Sequence, residues 1–133
     1  MELTVGMKLC LEDMVTEANT AAALGSGRLP VYATPALAAL LENCACTLLE
    51  GCLPEGSGSV GTFLELHHTA PTPVGMSVWA EAEVTEIDGR RVRFAVKAGD
   101  AAGDIAHGAH ERFVIDNARF LAKAEKKRES RPL

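Results

Sequence analysis

The chain has 133 residues, 47% hydrophobic and 23% charged. That is enough apolar material for one folded domain, and it excludes wholesale disorder. A formal charge of −5 argues against a general nucleic-acid binder, which needs a basic surface to displace counterions. No apolar run reaches the length of a bilayer span. The start, Met1-Glu2-Leu3-Thr4, lacks the basic and then apolar order of a signal peptide. The expectation is a cytoplasmic protein with no membrane and no nucleic-acid partner.

In chain order, residues 1–16 offer one short strand around Leu9-Cys10-Leu11 and Met14-Val15. Residues 17–30 are small, contain glycine and lack a period, so a loop is expected. A helix follows. Thr34 is a good N-cap, Pro35 suits the first helical position, and Gly51 is a plausible stop. Between Pro35 and Leu49 the residues are apolar nearly all round, which predicts a central helix wrapped by other structure. At about 22 Å it is too short to span a membrane.

From Ser59 the period becomes two. Val60, Thr62, Leu64, Leu66 and His68 fall on one strand face, expected to look inward. Gly61, Phe63, Glu65 and His67 fall on the other. Pro71 and Pro73 end the strand. Runs from Met76 to Glu86 and from Arg90 to Ala98 flank Asp88-Gly89, a hairpin signal. A two-residue Asp88-Gly89 loop would set Glu83 against Phe94. A three-residue loop of Ile87, Asp88 and Gly89 instead pairs Val84 with Val92, Ala82 with Phe94 and Ala80 with Val96, and places Glu86 by Arg90 and Glu83 by Arg93. The longer loop is expected. A last strand runs from Ile105 to Ile115, and a charged tail begins at Lys123. One domain over residues 1–122 with a frayed tail over 123–133 is expected.

The order is strand, loop, long helix and four successive strands. It defines an α+β class in which a mainly antiparallel sheet curls around one helix. Several fold families share that pattern.

Glu42 is the odd residue of the helix, with Ala38, Ala39, Ala45 and Cys46 at three- and four-residue spacing. Burial there would make its charged form costly and prime it as a general base. A wet face shared with Asn43 and Glu50 explains it equally. His68 ends an inward strand face as either a structural or an acid–base histidine. Capping alone accounts for Thr34. His107, His110 and Glu111 suggest a metal, but on a strand His107 and His110 face opposite ways. Cys10, Cys44, Cys46 and Cys52 read as buried, inert thiols, because Cys44 and Cys46 point apart on a helix. No metal site is expected. Gly56-Ser57-Gly58-Ser59 lacks the lysine of a phosphate loop and the flanking helix of a nucleophile elbow.

The segments Ser59-Val60-Gly61-Thr62 and His68-Thr69-Ala70-Pro71-Thr72-Pro73, the turn Gly89-Arg90-Arg91, and His110-Glu111-Arg112 resemble the fluoroacetyl-CoA thioesterase-like family of hotdog-fold proteins. Ala33-Thr34 with Leu41-Glu42 fits as well. The resemblance runs from about residue 31 to 123. It implies a hotdog fold and hydrolysis of a small acyl-CoA by Thr34, Glu42 and His68, with Gly61 and Arg112 contacting the substrate. It implies no cofactor beyond the CoA of the substrate, and a homodimer or dimer of dimers whose sites form between subunits. The family's founding member has a longer, aromatic-containing segment before its helix. Residues 17–33 here hold one aromatic, Tyr32, which points away from fluoroacetyl selectivity. A hotdog enoyl-CoA hydratase and a non-catalytic acyl-CoA-binding domain are the alternatives.

Overall fold

The computed structural model describes residues 1–130. Five strands form one antiparallel sheet: β1 (Lys8–Met14), β2 (Ser57–His68), β3 (Ser77–Asp88), β4 (Arg91–Asp100) and β5 (Gly103–Asp116), in the spatial order β1-β3-β4-β5-β2. The two edges are β1 and β2. Helix α1 (Ala21–Leu24) is a single turn, α2 (Thr34–Glu50) is the long helix, and α3 (Asn117–Glu125) follows the last strand. A sheet laid around α2 is the α+β hotdog arrangement.

Helix α2 packs on the sheet with Leu37, Leu41, Cys44, Ala45, Leu48 and Leu49. These meet Val78, Ala80, Ala82 and Val84 of β3, Val92, Phe94 and Val96 of β4, and Ile105 of β5 in one core. Alternation along β3 and β4 supplies the apolar face, and small alanines let the helix approach closely. The expectation of a helix wrapped all round is not met. Thr34, Pro35, Ala39, Asn43 and Glu50 are exposed, and Glu42 is only half-buried. One sheet covers one side of a cylinder, and the described residues leave the other side open.

Three local expectations need correction. The β3–β4 turn is a two-residue loop, because Asp88 sits opposite Arg91. Gly89, at φ 60°, takes the first central place, which a type II′ turn reserves for glycine. The apolar faces stay matched because the register shifts between Val84 and Glu86; the extra residue, Thr85, forms a bulge. Val84 then opposes Phe94, Ala82 opposes Val96, Ala80 opposes Ala98, and Glu86 opposes Arg93.

Residues 17–30 are not a plain loop. Thr16 and Asn19 form a reciprocal capping box around a 3₁₀ turn over Glu17–Asn19, and Thr20 caps α1 through the Ala23 amide. Tyr32 is buried, and its hydroxyl donates to Asp13 Oδ2 at 2.7 Å. The thiols also differ from expectation. Cys44 is buried and donates toward the Ala80 carbonyl, whereas Cys10 is exposed. Residues 117–129 are helical; the end of the expected tail, 131–133, lies outside the described residues.

Candidate active site

Helix α2 begins at Thr34, one residue earlier than capping by that threonine requires. Ala33 is the N-cap and supplies no side-chain hydrogen bond. The Thr34 hydroxyl therefore does not cap the helix. It is hydrogen-bonded to His68 Nδ1 at 2.8 Å, across 34 residues of sequence. This corrects the reading of Thr34 as a structural cap. It also leaves the first amides of α2 without a side-chain acceptor, with the positive end of the helix dipole beside the Thr34–His68 pair.

His68, the last residue of β2, is half-buried, and burial pushes its pKa below the ordinary histidine value, partly offset by the Ala70 backbone. Its ring is therefore neutral near pH 7. Its Nε2 is buried and has no hydrogen-bond partner. An unpaired buried ring nitrogen is costly, and here it borders a cleft of about 320 Å³ walled by Ala21, Ser26, Val31, Tyr32, Thr34 and Ala70. The neighbouring His67 faces away. It stacks on His107 with centroids 5.1 Å apart and sits near Glu65.

A second group lies further along the same helix. Glu42 is eight residues beyond Thr34, about 12 Å along the axis at 1.5 Å per residue. Its Oε2 lies 3.6 Å from Arg112 Nη1. The desolvation expected of a wrapped helix does not occur within the chain: the Glu42 side chain is 43% exposed, against 8% for Arg112. Arg112 is fixed from the other side, donating through Nε to Ser59 Oγ at 2.8 Å and through Nη2 to the Ser59 carbonyl at 2.9 Å.

Gly61 belongs to this second group, against the expectation that it points outward. The β2–β5 register shifts between Gly61 and Phe63, so Thr62 is a bulge and the alternation inverts there. Before it, Ser59 and Gly61 face inward; after it, Leu64, Leu66 and His68 do. A Cβ built on Gly61 would lie 2.6 Å from Glu42 Oε2, 3.2 Å from His110 Cε1 and 3.3 Å from Arg112 Nη1. Glycine is what lets the carboxylate lie against the strand.

His110 is a residue to which sequence reasoning gave no place in this group. It is buried, with Nδ1 hydrogen-bonded to the Phe63 carbonyl at 2.8 Å and Nε2 3.3 Å from Arg112 Nη1. Nδ1 must then be the N–H donor and Nε2 the acceptor, a neutral tautomer. Burial pushes its pKa down, with the Phe63 carbonyl opposing and the Arg112 charge adding. Its inward direction follows from strand alternation with Arg112; its role as a prop for Arg112 does not. Among the described residues, no three metal-ligating side chains converge.

Five antiparallel strands laid on one helix, with polar groups at the helix start and middle, form a hotdog-type fold with a candidate acid–base site. Residues 15–118 match the fluoroacetyl-CoA-specific thioesterase family. The fluoroacetyl-CoA thioesterase of Streptantibioticus cattleyicolor is 38% identical over 97 residues, covering 73% of this chain and 70% of that protein. A solved fluoroacetyl-CoA thioesterase structure superposes with a TM-score of 0.89 at 32% identity, covering 99% of this chain and 100% of the other. A thioesterase-superfamily protein of Thermus thermophilus superposes with a TM-score of 0.88 at 27% identity, covering 95% and 93%. The chain belongs to the fluoroacetyl-CoA-specific thioesterase family and is a thioester hydrolase.

Proposed function

We propose that the protein hydrolyses a short-chain acyl-CoA to the free acid and CoA, with Thr34, Glu42 and His68 as catalytic residues and with Gly61 and Arg112 at the substrate. The Thr34–His68 hydrogen bond carries this reading, because it leaves one buried, unpartnered ring nitrogen beside an open cleft at the start of a helix. The thioester carbonyl oxygen lies at that helix start, where amides and dipole stabilise the oxyanion. Glu42 drives attack on the carbonyl carbon, as base toward water or as the nucleophile of a mixed anhydride. The carbon–sulfur bond then breaks and the thiolate leaves. On the base route the proton Glu42 takes from water passes by way of His68 to that thiolate. On the anhydride route a water then cleaves the anhydride, releasing the acid and restoring Glu42. Arg112 holds Glu42 in place, with His110 behind it. No cofactor enters besides the CoA of the substrate.

The two groups are about 12 Å apart along one helix, too far for one thioester carbon to meet both. The unpaired edge of β2 and the open side of α2 support a homodimer, or a dimer of dimers. In it the Thr34–His68 end of one subunit meets the Glu42–Gly61–Arg112 group of the other. Residues 1–122 act as one domain, and 123–133 as a charged extension. A cytoplasmic location fits four free cysteines; no helix is long and apolar enough to cross a membrane.

Thiol release measured over a panel of acyl-CoAs tests the proposal. Wild type releases CoA from short acyl chains and Glu42→Gln does not. Hydration of an enoyl-CoA without thiol release would assign the hydratase instead, and binding with neither reaction a sensor. Single-turnover hydrolysis in H₂¹⁸O separates the two roles of Glu42. A clean monomer in light scattering would refute the shared site.

A further inference from the structure

A second hollow, of about 480 Å³, lies at the end of β5 and is lined by Ser57, Arg90, Val114, Arg119, Phe120 and Lys123. Arg90 comes from the β3–β4 turn. Arg119 and Lys123 lie four apart on α3, and so on one face of it. Two unconnected elements thus bring three cations to one place on a chain whose formal charge is −5.

The other cations of the sheet are neutralised. Lys8, Arg91, Arg93, Lys97 and Arg112 each face a carboxylate. Among the described residues Arg90, Arg119 and Lys123 have no such partner. The hollow also holds one carboxylate, Asp116, whose Oδ1 accepts the Arg119 amide at 3.0 Å as the cap of α3, so three cations face a single acid there. Like charges four apart on a helix repel, so an anion bound between them would relieve that repulsion. Phe120 lines the same hollow and is 39% exposed, a flat apolar face beside the three cations.

We propose that this hollow binds the adenosine 3′,5′-bisphosphate end of CoA, with phosphates on Arg90, Arg119 and Lys123 and the adenine ring against Phe120. The inference rests on the acyl-CoA reading above and adds where the nucleotide sits. Its position fits. Arg112, Val114 and Asp116 alternate along one face of β5, so the hollow begins beside the Glu42–Arg112 group. Four strand residues, about 13 Å, separate Arg112 from Asp116, a distance the extended pantetheine arm covers.

Two measurements on the full chain test the assignment. In isothermal titration, adenosine 3′,5′-bisphosphate binds wild type, and the double variant Arg119→Glu/Lys123→Glu weakens it by about tenfold or more, as lost charge-assisted bonds to phosphate require. In kinetics, the same variant raises KM for acetyl-CoA by about tenfold with kcat unchanged. Hydrolysis of the acetyl thioester of N-acetylcysteamine, which lacks the nucleotide, stays the same. Equal bisphosphate binding by both proteins, or a KM shift shared by both thioesters, overturns the proposal. Wild type that cleaves neither thioester would sink the acyl-CoA reading instead, while the titration still decides the hollow.

Discussion

Gly61→Ala tests the Glu42 group without touching a titratable residue. The added methyl would stand 2.6 Å from Glu42 Oε2. Ordinary contact begins at 3.4 Å, so the carboxylate must retreat by about 0.8 Å (3.4 − 2.6). His110 and Arg112 are buried and anchored to Phe63 and Ser59, so Glu42 is the group that moves. It can do so cheaply in stability, because its side chain is 43% exposed and swings toward solvent. Gly61 has no positive φ, so the backbone accepts alanine. The melting free energy should therefore change by less than about 1 kcal/mol. Catalysis should not be spared, since a displacement near 1 Å costs about a hundredfold when it misaligns a reacting group. Thiol-release kinetics and thermal melts on the same preparation give both readings. A variant with kcat within about threefold of wild type and an unchanged melt would show that the carboxylate need not lie against β2.

Thr34→Ala should cost no more than about 1 kcal/mol of stability, less than many lost caps, because Ala33 is the N-cap, yet it should lower kcat by tenfold or more; Thr34→Ser, which keeps the hydroxyl, should retain most activity in the same assay. His68→Ala should reduce thiol release by about a hundredfold, and His67→Ala, on the outer face, should leave it within a few-fold; equal effects would contradict the strand-face assignment. For pH, His68 and His110 both have folded pKa values below their unfolded value of roughly 6.5. Below that value the unfolded chain takes up protons that the folded chain refuses. Their contribution is therefore present above about pH 6.5 and is lost as pH falls through the lowered folded values. Melts from pH 7.5 to 5 should show this loss. His110→Gln should lessen the slope, and a variant with the wild-type slope would exclude His110 as a contributor.

The elements were readable from sequence because their signals are local. The period-two runs of β3 and β4 and the apolar stretch after Pro35 each report a face that must be buried. What escaped depends on partners far along the chain. A bulge at Thr62 or Thr85 adds a residue on one strand opposite none on the other, and only the partner strand counts the mismatch. Period-two reading therefore carried Gly61 to the wrong face and chose the wrong β3–β4 turn. Thr34 has the chemistry of a cap, and its actual partner, His68, is 34 residues away. Glu42 read equally as a buried carboxylate or as part of a wet face with Asn43 and Glu50, and within the chain that face is the open one. His110 drew notice as a possible metal ligand and within the His110-Glu111-Arg112 motif, but nothing local shows that Phe63 and Arg112 occupy both its nitrogens.

The cleft beside His68 is built unevenly. Thr34 and His68 belong to the start of α2 and the end of β2, and their backbones are held by helix and sheet. The opposing wall, Ala21, Ser26 and Val31, belongs to the connection between β1 and α2, held by short bridges such as Thr20 to Tyr32 and Val31 to Pro73. Connections tolerate substitution and insertion far better than the elements they join. Under the proposed assignment, selection can therefore enlarge, narrow or re-line the acyl wall in small steps while Thr34 and His68 stay fixed. On that assignment the range of acids released and the bond cleaved would be inherited on separate stretches of chain, free to evolve at different rates.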